Sequence, residues 1–222
     1  MSPTKRGLGV EVWGAYDDIS AFYDVACKFS YDQSYHHFKG YENRSTLLSG
    51  FTYELRKAKE ESRLIRKLEH PACEDNVVLG TQFSWVHMLF SLVAIKENTA
   101  LHPIDKYDRS VLLQVEYWVE TAIEKYDPIG AERLKIFING GLYSKNPYLY
   151  QFMRSINLEY FQLCGGKRAF RKLPDLLKKG VLWTKEYKEF FEFLEYSAKQ
   201  NNCEIDALDL DDEDVDYENI KW

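Results

Sequence analysis

The stretch VVLGTQFSWVHMLFSLVAI, from Val77 to Ile95, runs nineteen residues without a formal charge, and the way it divides decides the fold. Taken whole it approaches the roughly 20 apolar residues of a bilayer-spanning helix. Gly80, Thr81, Gln82, Ser84, His87 and Ser91 interrupt it, and it breaks naturally at Ser84. Val77 to Phe83 reads as a strand and Trp85 to Glu97 as a largely buried helix, so the segment is assigned to a core and not to a membrane.

Working outward, Leu8 to Trp13 alternates Leu8, Val10 and Val12 with small or polar residues, the period of a half-buried strand. Gly14 with Asp17 or Asp18 supplies a turn and cap for a helix whose inner face is Ile19, Phe22, Tyr23, Ala26 and Cys27. Tyr31 to Tyr41 reads as a polar, aromatic-rich loop containing His36 and His37. Ser45 caps a helix with Leu48, Phe51, Leu55 and Ala58 inward, ending near Glu61. Ser62 to His70 fits either more helix or a strand, and Pro71 stops both.

Beyond Pro103 the pattern is helical. Asp108 caps a helix whose core stripe is Val111, Leu112, Val115, Trp118, Val119, Ala122 and Ile123, ended by Asp127 and Pro128. A short helix, Ala131 to Ile138, follows. Asn146 and Pro147 start an aromatic helix to about Leu163, and Leu173 to Lys179 and Thr184 to Gln200 complete the body. The expected fold is α+β and predominantly helical, a small N-terminal sheet packed with a C-terminal helical bundle. Residues 1–201 form a single globular domain, with strands mainly within 1–100 and helices over 104–201, and residues 202–222 form an acidic tail.

That tail is the strongest charge feature. Glu204 to Trp222 carries nine carboxylates against Lys221, about −8, so a chain of net charge −6 is a nearly neutral body with an acidic appendage. Ile205, Leu208, Leu210, Val215, Tyr217, Ile220 and Trp222 are interspersed with the acids, and a purely solvating tail lacks such anchors. Asp211, Asp212, Asp214, Tyr217 and Trp222 are the expected partner-binding residues. The four cysteines, Cys27, Cys73, Cys164 and Cys203, stand far apart without paired spacing, as in a reduced compartment.

The run Gly14, Ala15, Tyr16, Asp17, Asp18, Ile19, with Phe22 and Tyr23, resembles the Gly-x-Tyr-x-Asp-Ile/Leu opening of a bacterial family known as a domain of unknown function. Tyr53, Glu54, Leu55, Arg56 and the Trp85 to Phe90 passage are similar to it too. The resemblance covers about the first hundred residues and departs at Ala15, where an acid is expected. It implies a cytoplasmic protein and adds no chemistry.

Pro174, Asp175 and then Glu186, Tyr187, Lys188 spell the metal-dependent nuclease pattern, in which two carboxylates hold a divalent cation and the lysine orients water. In that fold Glu-x-Lys sits on a strand. Here Tyr187, Phe190, Phe191 and Leu194 follow helical spacing, which makes the spelling accidental. His36 with His37, and His70 with Cys73, are each at most half a metal site. His87 reads as a neutral core histidine, and Glu116, Glu120 and Glu124 as a solvated helix face. No phosphate loop, dinucleotide fingerprint or nucleophile elbow occurs, so no metal, cofactor or complete catalytic set is assigned.

Lys167 to Lys188 is about +6, and its Lys167, Arg168, Arg171, Lys172, Lys178 and Lys179, interleaved with aromatics, suit phosphate contact. Two readings follow. The favoured one is a cytoplasmic protein acting by protein–protein interaction, its acidic-hydrophobic tail serving as the partner-binding or autoregulatory segment. The alternative is a nucleic-acid-binding protein or nuclease using the basic region.

Overall fold

The computed structural model describes residues 1–67, 77–209 and 220–222. Four strands, β1 (Ser2–Pro3), β2 (Gly9–Gly14), β3 (Leu64–Lys67) and β4 (Val77–Ser84), form an antiparallel sheet in the order β1-β2-β4-β3. Val10 pairs with Phe83 and Val12 with Thr81, and these residues are buried. The alternate positions form the other face, where the Glu11 carboxylate accepts from Trp13 Nε1 at 2.8 Å and Gln82 Nε2 at 3.2 Å. That division is the expected one for an antiparallel sheet with one face against a core.

The apolar stretch from Val77 breaks where the sequence breaks. Its first part is β4, and Ser84 Oγ accepts from His87 N at 2.9 Å to cap α3 (Trp85–Asn98), in which Trp85, Val86, Met88, Leu89 and Phe90 are buried. Among the described residues no helix is long and apolar enough to cross a membrane.

Helix α1 (Tyr16–Lys28) and α2 (Tyr41–Lys59) pack against each other, and α2 also lies on β4 and α3. Three expected caps move. At α1 the cap position is Ala15, whose N–H donates to Asp18 Oδ2 at 2.9 Å. Helix α2 starts a turn before Ser45, because Gly40 adopts a left-handed φ of 73° that turns the chain into the helix at Tyr41. The third shift is at α4 (Lys106–Tyr126), where Asp105 is the cap and Asp108 the reciprocating residue three positions in.

Helix α4 turns at Asp127 into α5 (Pro128–Ile138), with Asp127 Oδ2 accepting from Gly130 N and Pro128 in the first turn. The expected stripe of α4 is buried at Val111, Leu112, Val115, Val119, Ala122 and Ile123, but not at Trp118, which is 41% exposed. Its indole forms part of the rim of a cleft of about 340 Å³ among Met1, Val12, Asp18, Phe22 and Val115.

Helix α6 (Leu149–Gln162), α7 (Lys167–Phe170), α8 (Leu173–Leu177) and α9 (Lys185–Gln200) complete the body. Sheet and helices share one continuous apolar core. The Gly7 carbonyl accepts from Trp85 Nε1 at 3.1 Å and from Tyr160 Oη at 2.6 Å, tying the N-terminal loop to α3 and α6 at one atom. Arg44, 1% exposed, does the same between α2, α3 and the loop before α6, donating to Asn98 Oδ1, Lys39 O and Ser144 O.

Candidate functional site

The site is built from two helices and a loop that returns to them. On α9, Thr184 Oγ1 accepts from Tyr187 N at 3.1 Å, which fixes the helix start and turns Phe190, Leu194 and Ala198 inward at four-residue spacing. Phe190 meets Phe152 of α6 edge-on with centroids 4.8 Å apart. The same spacing sends Phe193 and Tyr196 outward, 59% and 63% exposed.

After α9 the chain folds back. Ile205–Ala207 forms a turn of 3-10 helix, and Ile205 and Leu208 are buried. Gln151, 1% exposed on α6, donates through Nε2 to the carbonyls of Ile205 at 3.0 Å, Asp206 at 3.3 Å and Leu208 at 2.8 Å. Asn43 Nδ2 reaches the Asp206 carboxylate at 3.2 and 3.3 Å, while its Oδ1 accepts from Tyr150 N. Burial raises the Asp206 carboxyl, Glu42 and Glu204 add to the rise, and the Asn43 hydrogen bond opposes it.

The result is a groove between α6 and α9. One part, about 300 Å³, is lined by Gln151, Leu158, Phe190, Phe193, Leu194, Leu208 and Asp209 among others. The next, about 340 Å³, shares Glu159, Phe190 and Phe193 with it and adds Lys179, Glu186 and Glu189. Lys179 Nζ is engaged by Glu159 at 2.5 and 2.7 Å, and Glu189 pairs with Lys185 at 3.2 Å, so among the described residues the unpaired charge along the groove is carried by Glu186 and Asp209. An apolar trough with an acidic edge can accept an amphipathic, basic polypeptide surface.

The expected boundary between residues 201 and 202 therefore falls inside the packed body: Ile205 and Leu208 are core residues. Trp222, expected to meet a partner, is half-buried and packs edge-on against Phe161 of α6 at 5.9 Å. Asp211, Asp212, Asp214 and Tyr217 lie outside the described residues, as do His70 and Cys73.

In the basic segment, Arg171 is clamped bidentately on the buried Asp127 carboxylate at 2.6 and 2.8 Å, which holds that carboxyl below its usual range. Lys178 pairs with Asp175, and Lys179 with Glu159. Lys167, Arg168 and Lys172 make no ion pair among the described residues. Of the eight cations of the segment, Arg171 and Lys179 are thus held against buried or partly buried carboxylates, whereas Lys178 and Lys185 make only exposed pairs.

The structure does not bring the nuclease spelling together. Asp175 is engaged by Lys178 at 3.0 Å and Arg133 at 2.6 Å, which lower its pKa against the opposing effect of burial, and Glu186 lines the groove from the first turn of α9. Lys188 is exposed on that helix. Among the described residues no three His, Cys, Asp or Glu side chains are placed to hold a metal ion. His36 and His102 belong instead to an aromatic cluster in which Tyr35 and Tyr41 lie 4.6 and 6.2 Å from the His102 ring.

Sequence reasoning missed the groove because Gln151 and its three carbonyls are more than fifty residues apart. The available signal was Ile205 and Leu208, three apart at the start of an acidic run.

A mostly helical α+β body with a shallow groove and no assembled catalytic set among its described residues defines a class by architecture alone. The chain belongs to the family described as Domain of unknown function (DUF6904), whose model matches residues 1–222, so the likeness extends well beyond the first hundred residues. No curated protein and no solved structure matches it.

One stability prediction arises here. Leu208→Ala is expected to lower the free energy of unfolding by about 2–3 kcal/mol, because it deletes a buried side chain at the point where the returning chain is pinned. Chemical denaturation measures this, and a midpoint unchanged from wild type would place residues 205–208 outside the cooperative unit.

Proposed function

We propose that this is a cytoplasmic bacterial protein that acts by binding a protein partner, with the α6/α9 groove, together with the acidic C-terminal sequence that follows it in the chain, as its docking surface. The observation that carries the reading is the exposure of Phe193 and Tyr196 beside a groove whose unpaired charges are acidic. Exposed aromatics flanked by charge are the usual composition of an interaction hot spot and its rim. The free thiols of Cys27, Cys164 and Cys203 support a reducing compartment. The partner chemistry is a basic segment with apolar anchors: the anchors fill the trough and the cations meet Glu186 and Asp209. Pairing of Arg171 with the buried Asp127 and of Lys179 with the partly buried Glu159 weighs against the nucleic-acid reading, since those two cations are already engaged within the chain.

Phe193→Asp leaves the core intact, as the ring is 59% exposed, and is expected to weaken partner binding at least about tenfold. The check is capture from native extract with wild type and variant side by side, then titration of the purified captured protein against both. Equal affinity for the two forms, or a captured fraction consisting of nucleic acid, contradicts the proposal.

A further inference from the structure

We propose that the outer face of α4 pairs antiparallel with the same face of a second copy of this chain. With about 100° between successive residues, Lys106, Arg109, Leu113, Tyr117, Glu120 and Glu124 fall on one narrow stripe. It lies opposite the side that buries Val115, Val119 and Ala122. A stripe that points to solvent would ordinarily be polar throughout. Here its centre is Leu113, 64% exposed, and Tyr117, 59% exposed, one turn apart.

The charges flanking this apolar centre are sorted by sign. Lys106 and Arg109 lie toward the N-terminal end and form no ion pair among the described residues. Glu120 and Glu124 lie toward the C-terminal end; Glu124 meets Lys135 at 2.8 Å in a pair whose side chains are 52% and 42% exposed. An exposed pair of that kind is worth little and leaves its carboxylate able to take a second cation.

This arrangement is complementary to itself under one operation. A two-fold axis at the level of Val115 sets Leu113 opposite the partner's Tyr117, Lys106 opposite the partner's Glu124, and Arg109 beside the partner's Glu120. A parallel alignment sets Lys106 against Lys106 and Glu124 against Glu124, and so is disfavoured by like charges. Because each copy presents the same patch, the contact closes as a dimer and does not propagate. A 21-residue helix is about 31 Å long, which places the contact at the small end of specific interfaces and the dimer in the weak, concentration-dependent range.

Sedimentation velocity of the full chain over roughly 1–200 μM tests this, the range in which a small interface associates. The expected result is a mass rising from that of one chain to that of two, with the rise weakened by added salt. Leu113→Asp is expected to hold the protein monomeric throughout, with an unchanged thermal melt. Lys106→Glu alone should weaken the dimer about tenfold, the cost of opposing like charges, and Lys106→Glu combined with Glu124→Lys should restore it. A chain that stays monomeric at every concentration overturns the proposal. So does a dimer that survives Leu113→Asp, and so does one that the double charge exchange fails to restore, because the antiparallel register is then wrong.

Discussion

Trp85→Ala is expected to destabilise the protein by about 3–5 kcal/mol, the largest effect anticipated for any single substitution in this chain. The indole is fully buried at the first turn of α3, meets the Phe170 ring at 6.0 Å and donates from Nε1 to the Gly7 carbonyl. Truncation removes a large apolar volume at a junction of sheet, α3 and the C-terminal helices. Tyr160 Oη still bonds that carbonyl, so the loss is dominated by the cavity and not by an orphaned acceptor. Because sheet and helices share one core, the unfolding transition should shift as a whole, with the same midpoint by near-ultraviolet and far-ultraviolet dichroism. Separation of the two signals in the variant would mean that the N-terminal sheet and the helical half unfold independently.

The second large effect is a pH dependence carried by His87. Its Nε2 is sealed from water without a hydrogen-bond partner, and Phe51 and Phe83 pack edge-on against the ring. Burial lowers its pKa to about 4; the Glu54 carboxylate and a hydrogen bond with the Leu47 backbone oppose the shift without cancelling it. The unfolded chain protonates this histidine near 6.5, so between that pH and about 4 it binds more protons than the folded chain, and stability falls as pH falls. The contribution is fully present above about pH 6.5 and has been lost, to the extent of roughly 3 kcal/mol, by about pH 4. Carboxylates held below their usual range, among them Asp127 and Asp175, add their own acid sensitivity, so the measurement is the difference between wild type and His87→Leu. The variant should show a shallower loss through this window. Identical pH profiles would assign the acid sensitivity to the carboxylates alone.

Much of the fold was legible because its signals are local. The Ser84 break, the alternation of Val10 and Val12, and the Asp127-Pro128 corner are each satisfied by residues within four positions of one another, and each stands in the structure. The two-residue strand β1 carries no period to detect, and the start of α2 depends on the left-handed Gly40. Trp118 follows the helical spacing of the α4 stripe but lies about 60° round from Val115, at its edge, where the indole meets a cleft and not the core.

The site was harder to read for a reason of connectivity. The apolar residues among the tail acids do act as anchors, yet Ile205 and Leu208 anchor to α6 and α9 of the same chain, and Trp222 to Phe161. Composition reveals that such residues bind something; only the long-range hydrogen bonds of Gln151 reveal what. Likewise the cations from Lys167 to Lys188 form a run in sequence, whereas Asp127 and Glu159, which neutralise two of them, come from α4–α5 and α6.

The α6/α9 groove, as a docking surface for a protein, can be probed in place. The most direct measurement is photo-cross-linking in the native cell with benzoylphenylalanine placed at Phe193, compared with the same group at Trp183, which is 78% exposed and lies within the basic segment. The expected result is one reproducible protein adduct from position 193, mapped by mass spectrometry to a basic segment of that protein and absent from position 183. Adducts to nucleic acid from position 183, with none to protein from position 193, would contradict it.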